Sequence, residues 1–429
     1  MNGITVTYFY SACVGINTAD TSVLCDPWFT QGAYDGSWYH YPPVWLKKDP
    51  LDSIGEYEYI YVSHIHPDHY DPLFLKSYLR KYPHSTVIIG DFQPNFLSKK
   101  MTADGVPHRR ASELRVGNTS LRIFLSDVND PGDIDSALAI KKEGKERTHS
   151  VVNMNDNLYN ERQVSEILVW LGTKPDLALL GYTGAGPYPQ TYYDDGVVLA
   201  KLAEQKKAQF FQRYLKMRDV LGATRNIPFA GKYILGGKLA KLNEYRGVAD
   251  AVELLAVDPR AIILDDGGQG FINTETFTPS KIRTKPYDQK AIDEYVGNDL
   301  SGKLLDYEKY FSSVPKEILI SAIAKLLPKA YRNAHSRSRV NIDWWICLRL
   351  EKEWFICNTN KSQSSCSFEQ QVTGRTNRLE IHADIRLLFG LITQLFHWNN
   401  AEVGSLYPAR RIPDKFDRNV QAFMYFFHV

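Results

Sequence analysis

The run Ser63-His64-Ile65-His66-Pro67-Asp68-His69-Tyr70-Asp71 constrains this chain more than any other segment, because it sets three imidazoles and a carboxylate within six residues directly after a strand. The text before it, YEYIYVSH, alternates β-forming residues, and the text after it, DPLFLKSYLRKYP, has the spacing of a helix. His64 and His66, two apart on extended backbone, point to one side and can share a metal ion through imidazole nitrogen. Asp68 and His69 then reach the same ion, or a second one, from the opposite flank. Unpaired His and Asp are seldom buried together, so a divalent ion with open coordination positions is the expectation. Such an ion activates water or dioxygen.

The rest of the chain supplies a scaffold for that motif. ITVTYFY, CVGINT and SVLCDPWF read as an antiparallel opening sheet, with a polar turn at residues 18–21. Further strands are expected at STVIIGD, SLRIFLSD, ALAIKK, HSVVNMND, DLALLGY and AIILDDGG, and helices at ERQVSEILVWLG and from Val197 to Leu221. Strands followed by helices in two halves give an α/β (α+β) protein built as an αββα sandwich. At 429 residues the chain exceeds what one core usually fills. The polar stretch FINTETFTPSKIRTKPYD sets a boundary near residue 280, between a metal-binding catalytic domain over 1–280 and a smaller α+β domain over 281–429 that covers or completes the site. Residues 30–48, rich in Gly, Pro and aromatics, read as a loop that packs over something, either a lid or a structural flap.

Composition narrows the function classes. Lys and Arg number 51 against 49 Asp and Glu, and a net charge of +2 argues against nonspecific binding to nucleic acid or an anionic membrane. The N-terminus alternates like a strand rather than showing the apolar core of a signal peptide, and the apolar run from Leu387 to Trp398 is too short to span a bilayer, so a cytoplasmic location is expected. Five scattered cysteines form no CxxC pair, which excludes a zinc ribbon or an iron–sulfur cluster within this sequence.

The motif resembles the metal-binding signature of the metallo-β-lactamase superfamily. Several collinear stretches, among them CDPWFTQGAYDGSWYHYPPVWL, IYVSHIHPDHYDPLFLKSYLRKYP, DLALLGYTGAGPYPQTYY, NIPFAGKYIL and RLLFGLITQLFHWNNAEVGSLYPARRIP, resemble the catalytic region of the CMP-N-acetylneuraminate hydroxylases. The resemblance implies a metal site of His64, His66, Asp68, His69 and Asp156, with Asp68 and Asp156 at the chemistry and Asp26 bracing the motif loop. A histidine expected ahead of the strand near Ser136 is replaced by acids in SDVNDPGDIDSALAI; Asp130 is the nearest match, with Asp133 and Asp127 as rivals, and carboxylate is a competent ligand. A final histidine expected after NIPFAGKYIL is missing from GGKLAKLN, which puts a second metal position in question. His149 falls on a strand so as to face away from Asp156, and His382 and His397 read as structural. The family's GYTGAGPYPQTYY loop borders the active-site cleft, which makes Tyr182, Gly184 and Tyr188 candidates for substrate contact. Lys232 and Arg410 can neutralise a phosphate or carboxylate, and Trp28 and Trp38 can stack on a base or sugar or simply fill the core.

Three functions follow. The first is an iron-dependent oxygenase acting on a sugar nucleotide or a related small polar metabolite, with one or two ions bound and electrons drawn from a separate electron-transfer protein, since the resembling hydroxylases carry a Rieske domain and this sequence holds no such pattern. The second is a hydrolase in which zinc or manganese lowers the pKa of water for attack on an ester, lactone or phosphodiester. The third is a degenerate scaffold that binds without catalysing.

Overall fold

The computed structural model describes residues 3–44, 49–126, 134–273 and 276–429. Its first half is the expected αββα sandwich. One sheet has eight strands in the spatial order Phe277–Pro279, Gly268–Ile272, Ile4–Tyr10, Cys13–Asn17, Ser22–Cys25, Tyr59–Val62, Thr86–Ile89 and Arg109–Arg110. The three opening strands pair antiparallel through short connections at residues 11–12 and 18–21, and the chain then crosses over to lay Tyr59–Val62 and Thr86–Ile89 down in parallel. The facing sheet has six strands, ordered Arg225–Phe229, Leu177–Gly181, Thr148–Asn153, Ser136–Glu143, Thr119–Leu125 and Glu113–Val116.

Alternation along these strands decides the layers. Val6, Val14, Ile16, Cys25, Tyr61 and Ile88 of the first sheet meet Leu121, Ile123, Leu138, Ile140 and Val151 of the second in one apolar cluster between the sheets. The helices Glu161–Leu171 and Gly196–Leu221 cover the back of the second sheet through Val164, Ile167, Tyr214 and Met217. Pro72–Lys81 and Phe96–Asp104 bring Leu75, Tyr78, Leu97 and Met101 into the cluster behind the first sheet. Each buried Leu or Ile contributes on the order of 2 kcal/mol on transfer from water, so the sandwich rests on these two faces.

Further along the chain a five-stranded sheet, ordered Cys366–Glu369, Trp354–Asn358, Trp345–Arg349, Arg378–Ile381, Ala409–Ile412, packs on the helices Lys316–Arg337, Ile385–Ile392 and Arg418–Tyr425. Its apolar residues run without a break into the cluster that includes Tyr34, Trp38 and Tyr233. The strand expected at AIILDDGG shifts: the ladder begins only at Gly268, and Leu264 makes just an isolated bridge to Ile282. Two features displace it, a turn at Gly267 with φ +74° and the capture of Asp266 by Lys232 at 2.9 Å. No described helix is long and apolar enough to cross a membrane.

Candidate metal centre

The motif strand Tyr59–Val62 ends where the backbone turns into the helix Pro72–Lys81, and hydrogen bonds fix that turn at both ends. Asp71 caps the helix by accepting from Phe74 N at 3.0 Å, while its second oxygen accepts from Thr30 N at 2.7 Å, tying the aromatic-rich segment to the motif. Tyr61 and Ser136 lock the two sheets together beside the motif: the tyrosine hydroxyl donates to the Ser136 carbonyl and Ser136 Oγ donates to the Ser63 carbonyl, each at 2.8 Å.

Asp26 organises the donors. Fully buried, with φ at +41°, it accepts from Ser63 N and Ser63 Oγ at 2.8 Å and lies 3.1 Å from His69 Nδ1. A carboxylate only accepts, so His69 carries a proton on Nδ1 and turns Nε2 into the site. There Nε2 is buried without a hydrogen-bond partner, 3.3 Å from an oxygen of Asp156 and 3.6 Å from one of Asp68. The single proton of Ser63 Oγ goes to Asp26, so His64 Nδ1, at 2.9 Å from that oxygen, is the donor there and His64 Nε2 is left with its lone pair. On the far side, His66 Nε2 donates to Asn399 Oδ1 at 3.1 Å, which leaves His66 Nδ1 unprotonated. The two lone-pair nitrogens, His64 Nε2 and His66 Nδ1, then face each other at 2.8 Å.

Facing lone pairs repel, and so do a bare imidazole nitrogen and two carboxylates; the donor set is satisfied when a cation sits among them. Donor atoms of His64, His69 and Asp156 all lie within 4.8 Å of one another, with His66 and Asp68 against them. The same chemistry shows in proton affinities. Burial lowers the pKa of His69, but the charges of Asp68 and Asp156 outweigh it and carry the group well above its ordinary value. Burial, reinforced by the neighbouring imidazoles, drives His64 well below its ordinary value. The two acids thus draw positive charge toward His69 Nε2, the position a divalent ion would neutralise. The residues present fit a metal centre with nitrogen and oxygen donors and no thiolate among the described groups.

Three site residues carry no mark in the sequence: Asn399, the partner of His66, and two more. Tyr34 donates to Asp68 Oδ1 at 2.6 Å; it sat unnoticed among the aromatics of the 30–48 segment. Asp135 is buried, 3.4 Å from His64 Nδ1, and its carboxyl is pushed well above the usual range, by burial first and by the Asp156 charge second. The acidic third motif did point to this stretch, but Asp130 and its rivals Asp127 and Asp133 lie outside the described residues.

A cavity of about 510 Å³ opens over the centre, lined by His64, His66, Asp135, Asp156, Thr183 and Gly184 among others. Gly184 is there because a β-carbon would lie 1.9 Å from the Phe210 ring. The other residues expected at the substrate sit elsewhere. Tyr182 and Lys232 line a second cavity, Tyr188 a third next to Asp414, and Arg410 is exposed on its strand. His149 is buried 3.9 Å from Asp176, Trp28 is core against His40, and Trp38 lies flat on Tyr233 at 3.4 Å.

No protein-family model matches the chain. Among curated proteins it is similar to a putative Rieske 2Fe-2S iron–sulfur protein of Mycolicibacterium smegmatis, 29% identical over 287 residues, covering 62% of this chain and 52% of that one. It is also similar to the cytidine monophosphate-N-acetylneuraminic acid hydroxylase of Asterias rubens, 26% identical over 250 residues, covering 54% of this chain and 35% of that one. The chain therefore spans about half or less of the length of the curated relatives it matches. Among solved structures it overlays on a possible metal-dependent hydrolase from Veillonella parvula with a TM-score of 0.45 and 14% identity, covering 62% of this chain and 98% of that one. The expected resemblance to the CMP-N-acetylneuraminate hydroxylases is thus found directly in the sequence comparisons.

Proposed function

We propose that this chain is a metal-dependent oxygenase that hydroxylates a small polar metabolite of the sugar-nucleotide class. The observation that carries the metal is the buried, unpartnered Nε2 of His69 between the carboxylates of Asp68 and Asp156. Support for oxygenase chemistry comes from the relatives, which are hydroxylases and Rieske proteins, and from a donor set of imidazole and carboxylate that suits iron.

His64, His66, His69, Asp68 and Asp156 hold the ion in this reading, with Asp135 at its edge. Iron there supplies the activation of dioxygen, whereas zinc or manganese supplies an activated water. The protein's own part is geometric. Asp26 and Asn399 fix the imidazole tautomers, Tyr34 holds Asp68 in one rotamer, and the wall at Gly184 and Thr183 seats the substrate. Residues 281–429 act as a unit that completes the site through Asn399. Electrons come from an iron–sulfur electron-transfer partner, the class to which the relatives' names point.

Metal analysis of protein purified without added metal tests the reading. Stoichiometric iron, with dioxygen uptake that depends on a reductant and a sugar nucleotide, is the expected result. Zinc or manganese with hydrolysis of a generic ester would make the chain a hydrolase instead. Metal content unchanged in the His64→Ala, His66→Ala double variant would overturn the site itself.

A further inference from the structure

The second cavity, about 730 Å³, shares no lining residue with the metal cavity among the described residues and lies behind the aromatic stack of Trp38 and Tyr233. Arg246 stands in its wall, only 8% exposed. Its guanidinium packs 4.4 Å from the centre of the Tyr233 ring and shares a side-chain hydrogen bond with that tyrosine, while Nε and Nη1 are buried without a hydrogen-bond partner. Among the described residues no carboxylate comes within ion-pair distance of it, although every other buried cation of this wall has one: Arg283 holds Asp250 at 2.7 Å and Lys232 holds Asp266 at 2.9 Å.

Burying a charge without a partner costs several kcal/mol, roughly, so such groups are normally paired. Lys206, a buried amine that lines the neighbouring third cavity, reaches the backbone carbonyls of Gly186 and Tyr188, and burial together with the Arg246 charge brings its pKa down to about 7. Around Arg246 the cavity presents the rings of Tyr41, Tyr182, Tyr233 and Tyr287, and the Tyr287 hydroxyl is a further buried donor without a partner.

We infer that this cavity is a second ligand site, separate from the metal centre, that takes the phosphate or carboxylate of a small ring-bearing molecule, with Arg246 as the cation and the tyrosines as the walls for the ring. A planar five-donor fork beside aromatic faces is suited to an oxyanion on a ring or sugar. The inference rests on a buried guanidinium that no carboxylate neutralises among the described residues, and it does not depend on the identity of the metal or the reaction.

Calorimetric titration of the full chain with inorganic phosphate, and in parallel with acetate, at constant ionic strength tests it. Saturable binding of at least one is expected, and the tighter of the two names the anion class. Affinity should fall about tenfold or more in Arg246→Gln, the loss expected for a charged hydrogen-bonded contact, and by less in Arg246→Lys. Ile292→Trp, which fills the cavity without touching Arg246, should abolish it. The His64→Ala, His66→Ala variant should bind phosphate as the parent does. If Arg246→Gln fails to fold, Arg246→Lys and Ile292→Trp decide. No saturable binding of either anion, binding unchanged in those two variants, or binding lost with the metal motif would each overturn the proposal.

Discussion

His66 Nε2 lies 3.1 Å from the side-chain oxygen of Asn399, so a residue 333 positions further along the chain sets the tautomer of a motif imidazole. Asn399 is itself oriented, its Nδ2 donating to the Tyr425 hydroxyl at 2.8 Å. Partners of metal-ligating histidines commonly govern affinity by about 10–100-fold. Asn399→Ala should therefore weaken metal binding by about that factor while leaving the metal-free melting temperature nearly unchanged. Competition against a chromophoric chelator measures the first and thermal denaturation the second; a large drop in melting temperature with unchanged metal affinity would make Asn399 merely structural.

Asp26 has the opposite profile, because it serves the fold and the site at once. Asp26→Ala strands Ser63 N, Ser63 Oγ and His69 Nδ1 in a buried pocket. Each orphaned polar group costs about 1–3 kcal/mol. Urea unfolding should show a loss of several kcal/mol, roughly, and the refolded protein should hold less metal. Unchanged urea midpoints would contradict the role given to Asp26.

Gly184 and Phe210 should behave as a coupled pair. Gly184→Ala drives a β-carbon to 1.9 Å from the Phe210 ring and should destabilise by about 1–3 kcal/mol, the usual cost of overpacking. Phe210→Leu should recover part of that loss. A double-mutant cycle reads the coupling, and strict additivity would rule out the contact.

Lys206 predicts a pH dependence with a definite sign. Its pKa falls from an ordinary 10.5 to about 7 in the folded protein, chiefly through burial. Between those values the unfolded chain binds the proton and the folded one does not, so this group makes stability rise with pH across the window and leaves a constant penalty below it. Lys206→Met removes the term. The stability advantage of the variant over the parent should grow as pH falls from about 10 to about 7 and then level off; a difference independent of pH would show that the amine is not perturbed.

The sequence by itself determined the motif turn and the sandwich that carries it. Local alternation marks the strand Tyr59–Val62, and the spacing after the motif marks the helix that follows it. The spacing of His64, His66, Asp68 and His69 announced a metal because imidazole and carboxylate are costly to bury together without one. What the sequence left open are contacts between residues far apart in it. Nothing in the text NN at 399–400 distinguishes Asn399 as the partner of His66, and nothing among the aromatics of 30–44 marks Tyr34 as the donor to Asp68. Lys232 reads as a free cation in the sequence and is consumed by Asp266, whereas Arg246, which nothing in the sequence marks, is the cation with no carboxylate partner among the described residues. Short-range periodicity encodes which face of a strand or helix is buried. Which charge meets which is settled only when two elements pack, since a side chain's partner and its desolvation are properties of the assembled interior.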